Sequence, residues 1–188
     1  MCFYTQQTKS AQKVENRFKA TIQHAKMFES SQRINEFSFP KTPVITYQNP
    51  NLIQHYQWGL ILAWASDINI QKNTLNARIE TLYEKPSFKN VVNNRCLVIA
   101  DGFFEWQWLD EKGKKKQGFL ITLPQHELFA FADIWSEWLH KKTGELINSY
   151  SIITTGAKSL IADIHNSKKR MPVILPISME KNWLNLAN

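Results

Sequence analysis

Cysteine is scarce in this chain: Cys2 and Cys96 stand alone among 188 residues. Neither pairs with histidine at zinc-site spacing, and no Gly-rich Walker-type phosphate loop is present, so neither a metal nor a nucleotide cofactor is expected. Long apolar runs are missing too. Residues 1–20 hold no signal-peptide core, no stretch approaches the ~20 apolar residues of a membrane span, and myristoylation would need glycine where Cys2 sits. The expectation is a cytoplasmic protein without membrane attachment, nucleoid-associated if bacterial. There thiols stay reduced and a Cys2–Cys96 disulfide does not form. Repeats, low-complexity tracts and linkers are absent, which leaves one domain over residues 1–188, expected as a monomer.

What the chain does have is apolar and basic. It is 43% hydrophobic and 12% aromatic, enough for a core and against disorder. Lys plus Arg number 23 against 16 Asp plus Glu, a net charge of +7. That balance suits a polyanion such as nucleic acid, although solvated basic faces give the same count.

Residues 10–28 read as a helix capped by Ser10, with Val14, Phe18, Ile22 and Ala25 at helical spacing. Pro40, Pro43 and Pro50 mark residues 36–57 as irregular with short extended pieces. The segment NARIETLYEKPSF reads as a short helix ending before Pro86. From residue 95 the pattern is strand-rich, with hairpin tips at DEKGKKK and HKKTGE. GAKSLIADIH reads as a helix, MPVIL as a last strand, and 178–186 as a short helix with Met179, Trp183 and Leu186 on one face. The class is α+β: a mostly antiparallel, barrel-like sheet with flanking helices.

Four places can carry chemistry. Cys2 follows the start methionine, whose removal would leave thiol and α-amine on one residue. The amine, with a pKa of ~7.7–8.0, is partly neutral at physiological pH and can attack an aldehyde; the thiol can then close a five-membered thiazolidine. Equally, Cys2 is an arbitrary second residue. In DGFFEWQW, strand alternation puts Phe104, Trp106 and Trp108 on a face expected to be core. Glu105 then lies on the other, either solvated or lining a groove with a raised pKa fit for proton transfer. In IHNSKKRMPVIL, His165 ends a helix before Lys168, Lys169 and Arg170, which suits anion contact or acid–base work, or a plain solvated helix end. Asn76 and Arg78 of NARIET are hydrogen-bonding residues near an expected helix start, where Asn76 could simply be a cap. Trp58 and Trp64 are either core or stacking surfaces for bases.

Taken in order, Cys2 behind Met1, WGLI with WA, NARIET…EKPSF, RCLVIADGFFEW, FAFADIW, IITTGA and IHNSKKRMPVIL resemble the SRAP (SOS-response-associated peptidase) family of abasic-site processing proteins. The resemblance covers residues 2 to about 175. It implies binding to single-stranded DNA at abasic sites. It further implies covalent capture of the sugar aldehyde by the N-terminal cysteine as a thiazolidine, shielding the lesion in the DNA-damage response. By motif, it assigns Cys2 as the nucleophile and Asn76 as the residue orienting the sugar. Glu105 and His165 become acid–base groups, and Arg78 and Arg170 phosphate contacts, with Lys168, Lys169 and Trp64 also on the DNA side. Many members read Cys-Gly-Arg at the N-terminus, where this chain reads Cys2-Phe3-Tyr4, so an expected arginine contact is missing. Many also have a shorter link between the histidine and RMP; here Asn166 to Lys169 intervene. While Met1 remains, the α-amine belongs to the wrong residue. Two other readings compete: an N-terminal-nucleophile cysteine hydrolase that removes its own leader, and a non-covalent single-strand DNA-binding module.

Overall fold

The computed structural model describes residues 2–185. In chain order the elements are β1 (Tyr4–Gln7), α1 (Ala11–Phe18), β2 (Thr21–Ile22), β3 (Ser31–Asn35), β4 (Lys41–Thr46), β5 (Asn49–Trp58), β6 (Asn76–Arg78), β7 (Arg95–Ala100), β8 (Gly102–Trp108), β9 (Lys116–Ile121), β10 (Phe129–Leu139), β11 (Leu146–Gly156), α2 (Ser159–Ile164), β12 (Arg170–Pro172) and α3 (Ile177–Leu184). The strands β11-β10-β7-β4-β5 pair in that order, and β5 returns to β11 through a short parallel contact, Ser149↔Gln57 and Tyr150↔Trp58. That contact closes a five-stranded barrel, in which the other four pairings are antiparallel. A second sheet, ordered β3-β1-β8-β9, stands beside it. The expected α+β class with a mostly antiparallel, barrel-like sheet is what the chain forms.

Closure concentrates large side chains in the lumen. Trp58 and Tyr150 stack with ring centroids 6.0 Å apart, and the Tyr150 hydroxyl shares a 2.8 Å hydrogen bond with Thr42. Cys96 is buried in this same core, a packing cysteine as expected. Trp58 is fully buried and its indole N–H donates to the Leu75 carbonyl, which removes it from the list of base-stacking surfaces.

Four expectations of local structure need correction. The helix expected over 10–28 stops at Phe18. Ser10 does cap it, but Lys19 turns left-handed and the chain doubles back, with the Glu15 carboxylate accepting from Ile22 N–H. The β-branched pair Thr21–Ile22 then joins β5 as a parallel strand. Within residues 36–57, expected to be irregular with short extended pieces, the chain instead forms most of the long β4–β5 hairpin. Pro43 is tolerated because β4 pairs with β7 only from Val44 onward, so no ladder bond to β7 is lost there. The helix expected to begin at NARIET does not: Asn76–Arg78 form β6, paired in parallel with β11, and only Ile79–Thr81 make a 3₁₀ turn, tertiary pairing overriding local propensity. In β8 the faces are reversed. Phe103 and Glu105 point inward and are buried, while Phe104, Trp106 and Trp108 are only partly covered. The last helix spans 177–184 and carries Met179 and Trp183; Leu186 lies outside the described residues.

Candidate active site

The N-terminal strand β1 is the middle of the small sheet and positions the site. It pairs with β8 as Tyr4↔Phe104 and with β3 as Tyr4↔Asn35. Both registers, continued by one residue, put Glu105 and Glu36 on either side of residue 3, and the Glu36 N–H donates to the Phe3 carbonyl at 3.2 Å. Cys2, just before this strand, is 0% exposed, and its thiol points toward the Tyr4 carbonyl at 3.7 Å. From the barrel side, β6 supplies Asn76, whose Nδ2 donates to the Cys2 carbonyl at 3.0 Å and to Glu36 Oε2 at 3.4 Å.

His165 arrives by a different route. It ends α2, where Lys169 adopts a left-handed conformation and its N–H closes back onto the His165 carbonyl. The intervening residues that lengthen this link have a use. Asn166 exchanges two hydrogen bonds with the Trp108 backbone, accepting from its N–H and donating to its carbonyl, which ties the end of α2 to β8. His165 Nδ1 lies 2.7 Å from the Arg170 carbonyl and 3.6 Å from Glu105 Oε2. A carbonyl only accepts, so the shorter contact fixes a proton on Nδ1 and leaves Nε2 as the basic nitrogen of the neutral ring.

Burial sets the protonation states. Glu105, 2% exposed, is raised to about 7. The cause is burial on the inward face of β8. Glu36 is raised to about 9, again by burial. The Cys2 thiol is pushed well up by burial, then by the nearby carboxyls of Glu105 and Glu36. His165 is lowered by burial. Near neutral pH the site therefore holds a neutral thiol, a neutral imidazole, a neutral Glu36 and a Glu105 close to half-ionised. Among the described residues no group of three or more His, Cys, Asp or Glu side chains is arranged to hold a metal.

A cleft of about 230 Å³ reaches this site from the surface, lined by Phe3, Glu105, Trp106, Trp108, Lys116, His165, Ser167 and Lys168. Beside it, cations lie on rings. The Arg33 guanidinium sits 4.3 Å from the Tyr4 centroid and within 6 Å of Phe104 and Trp106, and the Lys116 ammonium lies 5.5 Å from the Trp108 centroid. Arg78, Lys168 and Lys169 are exposed. Arg170 is not: its guanidinium is buried, forms a two-pronged bond to Glu80 at 2.6 and 2.9 Å and donates to the Thr154 carbonyl. Trp64 is 58% exposed but lines a separate cleft with Trp135 and Asn94, away from Glu105.

The structure thus gathers Cys2, Asn76, Glu105 and His165 from four distant segments. A family model described as SOS response associated peptidase (SRAP) matches residues 1–188. The chain belongs to the SRAP family. Among SRAP-related proteins, the abasic site processing protein YoqW of Bacillus subtilis is 42% identical over 153 residues, covering 79% of this chain and 66% of that protein. The abasic site processing protein HMCES of Gallus gallus is 32% identical over 161 residues, covering 72% and 46%. This chain thus spans about half to two thirds of the length of these two relatives. A crystal structure of a Bacteroides thetaiotaomicron protein superposes with a TM-score of 0.91 at 36% identity, covering all of this chain and 82% of that one. Sequence reasoning passed over Glu36. No motif surrounds it, and only the pairing of β3 with β1 brings it to Cys2. Arg33 was missed likewise, since its stacking on Tyr4 depends on the same pairing of β3 with β1.

Proposed function

We propose that this protein captures abasic sites in single-stranded DNA as a covalent thiazolidine on Cys2 once Met1 is removed. The observation that carries the reading is the convergence of Cys2, Asn76, Glu105 and His165, of which Glu105 and His165 line an open cleft beside the residue after Cys2. Met1 itself lies outside the described residues.

The protonation states favour an order of steps. The α-amine of a trimmed Cys2 attacks the open-chain aldehyde of the sugar and forms a C–N bond, giving a carbinolamine. Glu105, protonated about half the time near pH 7, donates the proton with which the hydroxyl leaves as water. The neutral Cys2 thiol then adds to the resulting C=N carbon; a C–S bond forms and the thiol proton passes to the ring nitrogen. His165 Nε2 can accept or return a proton in either direction, which suits reversal as well as formation. A cysteine hydrolase, in contrast, attacks through a thiolate, and burial beside two carboxyl groups opposes that ionisation.

The exposed cations Arg78, Lys168 and Lys169, with Arg33 and Lys116 resting on Tyr4 and Trp108, would follow the phosphate backbone and let aromatic faces meet bases. The decisive test is incubation of the Met1-trimmed protein with an abasic single-stranded oligomer. A band surviving denaturant, with an intact mass equal to the sum of protein and DNA minus water, is expected. A complex lost in denaturant would reduce the function to binding, and turnover of a peptide amide would favour the hydrolase.

A further inference from the structure

We infer that Glu36 is a positioning residue of the Cys2 site, holding the Asn76 side-chain amide with its NH₂ toward the Cys2 carbonyl and its oxygen left over for the substrate. The inference rests on the capture reaction proposed above.

The geometry starts with Asn76. Its Nδ2 has two acceptors, the Cys2 carbonyl at 3.0 Å and Glu36 Oε2 at 3.4 Å. An amide rotated by half a turn would turn its oxygen on the Cys2 carbonyl, which only accepts, so that carbonyl sets the orientation and Glu36 Oε2 holds the second N–H in it. Asn76 Oδ1 is buried and, among the described residues, has no hydrogen-bond partner. It is therefore an acceptor held ready for a donor that enters with the ligand, such as a sugar hydroxyl or the carbinolamine O–H. Glu36 is itself 0% exposed, and its second oxygen, Oε1, is also buried without a partner among the described residues. A buried acceptor left unpaired on Asn76 is costly to maintain without a ligand that satisfies it.

The charge state fits this role. Burial holds the Glu36 carboxyl at about 9; the Asn76 bond and the amino-terminal charge pull it down, and Glu105 pushes it up. At neutral pH it is an acid: Oε2 accepts from Asn76 and the proton rests on the other oxygen. Ionisation would set a second negative charge beside Glu105 and the Cys2 thiol and disturb the Asn76 amide. Capture should then weaken on the alkaline side as Glu36 loses its proton.

Glu36→Gln keeps an acceptor and a donor without a charge; Glu36→Val removes both. Adduct formation with an abasic single-stranded oligomer is timed from about pH 6 to about pH 10. Non-covalent affinity is measured with an oligomer carrying tetrahydrofuran in place of the sugar. Glu36→Val should form adduct at least about tenfold more slowly while binding the tetrahydrofuran oligomer normally, and Glu36→Gln should stay within about threefold of the unsubstituted protein at pH 7. The alkaline decline assigned to Glu36 should vanish in Glu36→Gln. In an Asn76→Ala background, Glu36→Val should have no added effect, because its action runs through Asn76. An unchanged rate and pH profile in Glu36→Val would overturn the inference. So would a Glu36→Gln protein as slow as Glu36→Val, or full additivity with Asn76→Ala. Absence of any adduct with the unsubstituted protein would instead overturn the function itself.

Discussion

Glu105 and His165 share one site but have opposite reasons to matter. Glu105 sits on the buried face of β8 and titrates at about 7, so a modest pH change alters how often it holds a proton. If its acid form assists loss of water, the rate of crosslinking should fall as pH rises through about 7. Glu105→Gln should remove that inflection and slow formation by roughly 10²–10⁴, with little change in affinity for tetrahydrofuran-containing DNA. His165 is lowered by burial and stays a neutral exchanger with its Nδ1 proton on the Arg170 carbonyl. His165→Ala should slow release at least as much as formation. Time courses of adduct formation, then of release after unlabelled abasic DNA is added, separate the two. Unchanged release in His165→Ala would remove it from the mechanism.

At the scale of elements, the turn between α2 and β12 decides which basic residues reach DNA. Arg170 on β12 is already held by Glu80 and Thr154, whereas Lys168 and Lys169 in the preceding turn are exposed. Alanine at Lys168, Lys169 or Arg78 should each shrink the dependence of log affinity on log salt by about 0.7. Arg170→Ala should leave that slope nearly unchanged and instead lower the melting temperature, since it strips the partner from Glu80 and loosens the backbone that orients His165. The same turn illustrates what could be read in advance. The motif IHNSKKRMP pointed to His165 because its residue order is distinctive. It could not reveal that Asn166 staples the turn to Trp108, or that Arg170 faces inward, because both depend on partners 58 and 90 residues away. The strands after residue 95 were legible because they are apolar or alternating runs bounded by turn residues. The β4–β5 hairpin and β6 were not: prolines and a capping-like asparagine gave misleading local signals, and pairing with β7 and β11 overrode them. The inverted faces of β8 have the same origin. Aromatic residues suggested the core, yet the interior side of that strand was reserved for Phe103 and a carboxyl group.

For the whole molecule, the site's burial has a cost that pH should expose. The unfolded chain releases the Glu36 and Glu105 protons around the ordinary value of 4.5, but the folded chain keeps them until about 9 and about 7. Between those limits the folded state binds more protons than the unfolded one, so stability falls as pH rises. Each group's contribution is whole below the unfolded value and lost as pH climbs through the folded value, with a slope of at most about 1.4 kcal/mol per pH unit per proton. Four groups act in the opposite sense at lower pH. His165 and His55, lowered from 6.5 by burial, Glu80, lowered by its bond to Arg170, and Asp110, lowered by the Lys114 and Lys115 N–H groups, all favour the folded state more as acid is withdrawn. The histidine effects fade above 6.5 and that of Glu105 above about 7, so the fall from there toward about 9 belongs to Glu36 with Asp133 and, at its upper end, the Cys2 and Cys96 thiols, all raised by burial. The melting temperature should therefore decline across that range in the unsubstituted protein. Glu36→Gln, which has no proton to lose, should flatten the decline and melt higher at the alkaline end while matching the parent near pH 6. Parallel melting curves for the two proteins at every pH would mean that Glu36 is not held as a buried acid.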